Sequence, residues 1–345
     1  MYAIITKLRG LLFDSGIIKS SEFDIPIINV GNLAVGGSGK TPHIECLIEL
    51  LHNDYNIATL SRGYGRRTKG FREVEINSTA QESGDEPLQI KLKYPKIKVF
   101  VGEDRVEAVT KLLFAEPNID VILLDDAYQH RAIKAGLNIL LTDYKKIFTR
   151  DKSMPMGRLR ECPDAASRSD LVIVSKCPKL ISNSEKEELS KEISNHTNSP
   201  ILFSTVEYKD FIPSNKEHDI NRKIDNILII SGIANPKPML EYISNKFSAS
   251  IIEHLEFRDH YNFTIKDIQS FIEKFNTFAG SNNLIVISEK DSVRLKSISK
   301  GTAFKSLPIF VLPIGISFIG GNKEFNTIIT DYVRENSRNY SIPKD

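Results

Sequence analysis

Ile25-Pro26-Ile27-Ile28-Asn29-Val30-Gly31-Asn32-Leu33-Ala34-Val35-Gly36-Gly37-Ser38-Gly39-Lys40-Thr41 is the stretch that decides the fold. Ile25, Ile27, Ile28 and Val30 form a short β-branched run, the pattern of a buried strand. Ile44, Leu47, Ile48 and Leu51 then recur at helical spacing. Between them lies a glycine-rich loop. Gly36, Gly37 and Gly39 permit close backbone approach to a phosphate chain because they lack a Cβ. The helix start supplies N–H groups and a positive dipole end. Lys40 supplies a point charge for the β- and γ-phosphates, and Thr41 a hydroxyl for Mg²⁺. The loop reads as a P-loop with one departure. The pattern G-x-x-x-x-G-K-T puts its first glycine at position 34, where this chain has Ala34, the smallest substitute.

A second signal lies 85 positions beyond Lys40. Val121-Ile122-Leu123-Leu124-Asp125-Asp126 reads as a buried strand that delivers carboxylates at its C-terminal edge. Paired with a P-loop, such an Asp holds Mg²⁺ or its water shell. Between the two signals, residues 56–60 read as a strand. Residues 61–72 follow with five cations (Arg62, Arg66, Arg67, Lys69 and Arg72), Tyr64, Phe71 and three glycines. A basic loop just beyond a strand end is where open α/β sheets bind ligands. It suits an anionic clamp, or a plain solvated loop. Gly84-Asp85-Glu86-Pro87 opens a helix, where Asp85 and Glu86 complement the dipole.

Strands at 97–101, 137–142 and 171–175 alternate with helical segments, which predicts a mainly parallel sheet wrapped by helices. Met154-Pro155-Met156-Gly157-Arg158-Leu159-Arg160-Glu161 reads as a loop. After an extended stretch at 200–208, the charged, turn-rich residues 209–223 suit a linker. A second α/β pattern follows, with strands at 227–231, 250–254, 284–288 and 310–312. Its helices run to Phe247, across 265–275 and across 323–334. His260 stands out among the seven histidines because Arg258 and Asp259 precede it at a strand-to-helix turn.

Composition bounds the rest. With 345 residues, 41% hydrophobic and 26% charged, the chain suits a two-domain globular protein. A net charge of +2 makes no case for nucleic acid. Cys46, Cys162 and Cys177 lack C-x-x-C spacing, which argues against a disulfide framework or a zinc site. No apolar run approaches the ~20 residues of a spanning helix. Residues 1–20 mix Ile4, Ile5, Leu8, Leu11, Leu12 and Phe13 with Lys7, Arg9 and Lys19. This is an amphipathic basic segment, suited to a membrane interface or to packing on the protein core.

Together these motifs resemble the tetraacyldisaccharide 4′-kinase family of the lipid A pathway, nearly end to end. The resemblance rests on residues 30–42 (Val-Gly-Asn to Gly-Lys-Thr-Pro), 60–66 (Leu-Ser-Arg-Gly-Tyr-Gly-Arg), 84–87 (Gly-Asp-Glu-Pro) and 101–105 (Val-Gly-Glu-Asp-Arg). It continues through 124–130 (Leu-Asp-Asp-Ala-Tyr-Gln-His), 157–161 (Gly-Arg-Leu-Arg-Glu), 257–261 (Phe-Arg-Asp-His-Tyr) and 288–291 (Ser-Glu-Lys-Asp). Departures are mild. Ala127-Tyr128 stands where Gly-Phe is usual, and Cys162 where a Pro is usual.

The resemblance implies ATP- and Mg²⁺-dependent phosphorylation of the 4′-hydroxyl of an acylated glucosamine disaccharide 1-phosphate. It implies a peripheral enzyme on the cytoplasmic face of the bacterial inner membrane. Gly36, Gly37, Ser38, Gly39, Lys40, Thr41, Arg105 and Glu161 are then nucleotide-binding, and Thr41, Asp125 and Asp126 serve the metal. Lys40 and Asp126 are catalytic, together with Asp85 as the base and His260 reaching across from the second domain to orient it. No nucleic acid and no obligate protein partner are expected. Two other readings fit parts of the sequence: a membrane-docking nucleotide switch, and a soluble small-molecule P-loop kinase. The expected organisation is a membrane-associating helix at 1–20 and a P-loop domain at 21–199. A linker follows at 200–224, then a smaller α/β domain at 225–345.

Overall fold

A computed structural model describes residues 2–214, 220 and 223–337. The chain opens with α1 (Tyr2–Asp14), β1 (Ile27–Asn32), α2 (Lys40–Leu51), β2 (Ile57–Ser61) and β3 (Arg72–Glu73). It continues through α3 (Ala80–Ser83), α4 (Asp85–Lys93), β4 (Lys98–Val101), α5 (Arg105–Ala115) and β5 (Val121–Asp125). Next come β6 (Leu137–Asp143), β7 (Leu171–Ser175), α6 (Asn183–Ser194), β8 (Ile201–Tyr208), β9 (Ile212–Pro213) and β10 (Asn226–Ser231). The remainder is α7 (Lys237–Lys246), β11 (Ile251–Glu256), α8 (Ile265–Asn276), β12 (Asn283–Ser288), α9 (Glu289–Ile298), β13 (Ile309–Leu312), β14 (Ile314–Phe318) and α10 (Lys323–Asn336).

The larger sheet has nine strands in the order β14-β8-β7-β6-β1-β5-β2-β4-β3. From β4 to β8 across this order the strands run parallel, while β3 is antiparallel to β4. β1 and β5 are buried at every position. This is why their sequences read as unbroken apolar runs rather than as alternation. Alternate residues feed opposite faces. Ile27, Ala58, Leu60, Ile122 and Leu124 enter one core with Ala108, Val109 and Leu112 of α5. Leu140, Val172 and Val174 enter another with Leu189 and Ile193 of α6. Each fully buried Ile or Leu contributes roughly 1.5–3 kcal/mol. The register sets Val30 beside Asp125. The P-loop that follows β1 and the carboxylates that end β5 therefore emerge from neighbouring strands at one sheet edge.

The smaller sheet has the order β11-β10-β12-β13-β9. Its first four strands are parallel and β9 is antiparallel to β13. Alternation again sorts the core. Ile227, Ile229, Leu284 and Val286 pack with Met239 and Ile243 of α7. Leu228, Ile230, Ile285 and Ile287 pack with Ile268 and Phe271 of α8. The fold class is the expected one: a P-loop-type, mainly parallel α/β sheet and a second, smaller α/β sheet.

Contacts divide the chain into two units along unexpected lines. One holds the chain up to Asn77, Ile90–Glu207 and the part from Gly315 on; the other holds Ser78–Gln89 and Tyr208–Ile314. The first part of the expected linker, read as extended, is strand β8 of the large sheet. Residues 215–219 and 221–222 of it lie outside the described residues. The last strand was expected at 310–312, but after Pro313 the chain returns as β14 beside β8. α10 then docks in the first unit. The hydroxyl of Tyr332 accepts from Ile27 N–H and donates to Ile27 O, both at 3.1 Å. Residues 338–345 and Met1 lie outside the described residues. The N-terminal helix stops at Asp14, short of the expected 20.

Candidate active site

In the first unit, β1 ends at Asn32 and the backbone turns through the glycine loop. Gly36 and Gly39 take positive φ (113° and 86°), which a Cβ would strain. Ala34 does not need such a φ and forms a bridge with Leu159. Val35 N–H donates to Arg158 O and Arg160 N–H to Leu33 O, so the 157–161 loop is laced to the start of the P-loop. A Cβ placed on Gly36 or Gly37 would meet nothing within 4 Å, so open space lies over the loop. The Ser38 hydroxyl is buried with no hydrogen-bond partner among the described residues.

Lys40 is the first residue of α2 and Thr41, buried, is the second. The Lys40 ammonium lies 3.7 Å from Asp126 Oδ1 and donates to Asn32 Oδ1 at 3.4 Å. Asp126 follows β5 with φ 54°, a left-handed conformation costly for a non-glycine residue. Its N–H is tied to Val30 O at 2.9 Å. Arg160 reaches Asp126 with two nitrogens, Nη2 to Oδ1 at 2.7 Å and Nη1 to Oδ2 at 3.2 Å. Arg160 also donates to both the backbone and the side-chain oxygen of Asn32. Burial pushes the Asp126 carboxyl upward, but Lys40, Arg160 and Arg105 outweigh it and hold the group below its usual range. Asp125, the last residue of β5, is buried beside it.

Arg105 is buried at the start of α5, where its Nη1 donates to Gly102 O (2.5 Å) and Glu103 O (2.9 Å). Burial pulls it down to about 10, against the pull of Asp125 and Asp126. Glu161 pairs with Arg168 at 2.5 Å, and Arg168 stacks over the Tyr128 ring. The basic loop is partly self-engaged, since Arg66 donates to Gly70 O and Glu103.

Sequence reading passed over three residues that grip the P-loop. The Lys176 ammonium, after β7, donates to Gly37 O and pairs with Asp143. Ser175 Oγ donates to Ser38 O at 2.8 Å. His43, buried one turn into α2, faces Gly39 O through Nδ1 (2.7 Å) and Ser204 Oγ through Nε2 (3.1 Å). Because Gly39 O only accepts, Nδ1 carries the proton and Nε2 accepts from Ser204. Burial lowers the imidazole to about 4.

In the second unit, the structure brings Asp85 and His260 together: Nδ1 lies 3.0 Å from Asp85 Oδ2. The expectation of a pair divided between domains fails, because Ser78–Gln89 groups with the smaller sheet. Asp85 opens α4 and His260 sits at φ 55° after β11. Arg294 is a third partner, with Nη2 at 2.5 Å and Nε at 3.0 Å from the same Oδ2. Arg294 also donates to Asp291 Oδ1 (3.1 Å) and Gly232 O (2.7 Å). Lys290 pairs with Glu86 at 2.5 Å. Burial raises Asp85, but His260, Arg294 and Lys290 together drive it well below the usual carboxylate range. His260 is raised above its ordinary value, chiefly by its hydrogen bond to Asp85.

Arg294 escaped notice because the sequence reading set a strand at 284–288 and no helix directly after it. Glu289-Lys290-Asp291 is the start of α9. Ser288 caps it by accepting from Asp291 N–H, and a Ser-x-x-Asp spacing is a helix-start signal.

Comparisons place these features among known proteins. A profile described as tetraacyldisaccharide-1-P 4′-kinase matches residues 1–334. A tetraacyldisaccharide 4′-kinase of Flavobacterium johnsoniae is 42% identical over 339 residues, covering 97% of this chain and 95% of its own. One from Phocaeicola vulgatus is 42% identical over 343 residues, covering 96% and 92%. Among solved structures, LpxK from Aquifex aeolicus in complex with ATP is similar with a TM-score of 0.72. It is 26% identical over 96% of each chain.

Proposed function

The chain belongs to the tetraacyldisaccharide-1-P 4′-kinase family, and from that premise we infer which residues carry its reaction. The activity is ATP-dependent phosphorylation of the 4′-hydroxyl of tetraacyldisaccharide 1-phosphate, a lipid A precursor. The observation that carries the assignment of residues is Lys40, at the start of α2, lying 3.7 Å from Asp126 at the end of the neighbouring strand.

ATP phosphates suit the loop from Gly36 to Thr41. Open space lies over Gly36 and Gly37, and the Ser38 hydroxyl is buried with no hydrogen-bond partner among the described residues. Lys40 then neutralises β/γ charge, with Arg105 and Glu161 nearby in the nucleotide-binding set. Mg²⁺ fits the donor set, because Thr41 with Asp125 or Asp126 offers the hard oxygens it prefers. Held there, it would offset the negative charge of the phosphates. Asp85 and His260 form the unit that accepts the proton of the sugar hydroxyl. A base within hydrogen-bond reach adds ~10²–10⁴-fold.

No helix among the described residues is long and apolar enough to cross a membrane. The proposed location is the cytoplasmic face of the inner membrane, and α1 supports attachment to a lipid surface. Ile5, Leu8 and Leu11 stand exposed on it, next to the cation Arg9. Such a surface suits the acyl boundary and anionic headgroups.

The test is transfer of labelled γ-phosphate from ATP to extracted acylated disaccharide 1-phosphate. Label should enter the lipid phase with wild-type protein and not with Lys40→Ala. ATP hydrolysis without a labelled lipid would instead support a nucleotide switch.

A further inference from the structure

We propose that His43 is a positioning residue for ATP: its Nδ1–H holds the Gly39 carbonyl, so that the peptide joining Gly39 to Lys40 presents its N–H to the phosphates. This deepens the kinase reading above and rests on it.

Three successive carbonyls of the P-loop are tied down by side chains. Gly37 O accepts from Lys176 Nζ, Ser38 O from Ser175 Oγ at 2.8 Å, and Gly39 O from His43 Nδ1 at 2.7 Å. In a planar trans peptide the C=O and the following N–H point opposite ways. A carbonyl held on one side therefore aims the next N–H to the other. The N–H groups of Gly39 and Lys40 meet no acceptor among the described residues, the usual state of a helix start. Such a start, with open space over Gly36 and Gly37, is suited to an anion.

Of the three ties, the one at Gly39 acts nearest to Lys40. Gly39 caps α2 in a left-handed conformation (φ 86°, ψ 24°) and has no side chain of its own to hold it there. The backbone N–H of His43 reaches Gly39 O only at 3.3 Å, a long first bond for a helix. The imidazole supplies the shorter bond to the same oxygen. It can do so from one turn along, because helical side chains lean back towards the N-terminus.

The ring is held on its other sides as well. Nε2 accepts from Ser204 Oγ of β8 at 3.1 Å. Phe318 of β14 meets the imidazole edge-on, with 6.4 Å between ring centroids, and is itself stacked on Phe325 of α10 at 4.3 Å. A neutral ring suits this place. A second proton would set a cation at the positive end of α2 and near the Lys176 ammonium, and burial holds it off.

β8 is the strand by which the chain leaves the first unit, and β14, beside it in the large sheet, the one by which it returns. His43 therefore joins the P-loop to the closing segment of the chain. Its hold on Gly39 O depends on that segment being docked, since β14 walls one side of the ring. Both ring nitrogens are spent on the fold. The imidazole thus takes no proton in the reaction and acts through Gly39 alone.

The experiment is titration calorimetry of ATP on full-length protein, well below the Tm of each variant, joined to ¹⁵N spectra of histidine-labelled protein. His43→Leu keeps a buried side chain and loses both ring nitrogens. We expect its Kd for ATP to rise by roughly fivefold or more, and KM for ATP in the transfer assay to move more than kcat. His43→Gln, which can still donate to Gly39 O, should recover most of that affinity. Ser204→Ala should weaken ATP by a smaller factor. With His43→Gln assigning the resonance, the wild-type ring should be the Nδ1–H tautomer. A folded His43→Leu that binds ATP as tightly as wild type overturns the proposal, as does an Nε2–H tautomer. An equal loss in His43→Leu and His43→Gln would leave the ring a packing role only, and overturns it too. If His43→Leu fails to fold, the tautomer and Ser204→Ala decide, and an ATP affinity untouched by Ser204→Ala sinks the idea. Wild type that binds ATP but never labels lipid would defeat the kinase reading and leave the binding results standing.

Discussion

Arg160 meets Asp126 as a fork, Nη2 on Oδ1 at 2.7 Å and Nη1 on Oδ2 at 3.2 Å, while also donating to Asn32. Lysine has the charge but not the fork, so Arg160→Lys is not conservative here. Asp126 should then drift from its strained position at the end of β5. We expect Arg160→Lys to lower kcat by roughly tenfold or more, equivalent to about 1.4 kcal/mol. Steady-state kinetics at saturating ATP would measure this. Unchanged turnover would mean that the fork holds the loop without serving the reaction.

Asp85 and His260 should behave as one unit. Asp85→Asn and His260→Gln each keep size and change proton affinity. Each should reduce kcat by ~10²-fold or more. The double variant should be little worse than the poorer single one, because groups that act together are non-additive. ATP binding, measured separately by calorimetry, should survive. Simple addition of the two losses would show independent roles.

Lys176 should matter to ATP more than to turnover. Its ammonium ties Gly37 O to Asp143, which steadies the loop that the phosphates enter. Lys176→Ala removes a partly exposed, charge-assisted bond worth about 1 kcal/mol. KM for ATP should rise by roughly fivefold while kcat changes little. A fall in kcat with an unchanged KM would contradict the clamp.

His43 gives the fold an acid limit. Its folded-state pKa, about 4, lies below the unfolded value near 6.5. The unfolded chain therefore binds more protons between these values, and stability falls as pH drops from about 6.5 towards 4. Fully developed, this costs roughly 3 kcal/mol. His43→Gln can still donate to Gly39 O and does not titrate. It should flatten the dependence of Tm on pH in that window. An equally steep slope in the variant would assign the acid sensitivity to other groups.

Membrane attachment is testable on α1. Leu8→Glu places a charge between the exposed Ile5 and Leu11 without touching the Arg131 contacts to Gly10 O and Asp14. The variant should leave the membrane pellet for the supernatant, with Tm nearly unchanged. If it stays in the pellet, α1 is not the anchor.

How much of this was readable from residues alone follows from sequence distance. β1, the P-loop and β5 were legible, because a buried parallel strand is a continuous apolar run and phosphate binding needs glycine, lysine and threonine in a row. Asp85 and His260 were singled out by local setting and by family resemblance. Arg294 was not, since it meets Asp85 across 209 positions and its helix, directly after the strand at 284–288, went unread. The unit boundaries were misread for a related reason. A linear reading assigns contiguous blocks, whereas β14 and α10 return to the large sheet after Pro313, and Ser78–Gln89 leaves it. Proline broke the apolar pattern that would have marked β14.

That returning segment sets an order of events during synthesis. The ribosome releases β1 through β8 first, then all of β10 to β13, and only afterwards β14. Until then β8 is a bare sheet edge with unpaired N–H and C=O groups, open to pairing with another nascent chain. Chains that stop before Ile314 keep that edge uncovered. They also lack Tyr332, so β1, the strand that launches the P-loop, loses the hydroxyl that holds Ile27. Prematurely ended copies should therefore leave β1 unheld at its first residue, at the end away from the P-loop, and clump through β8.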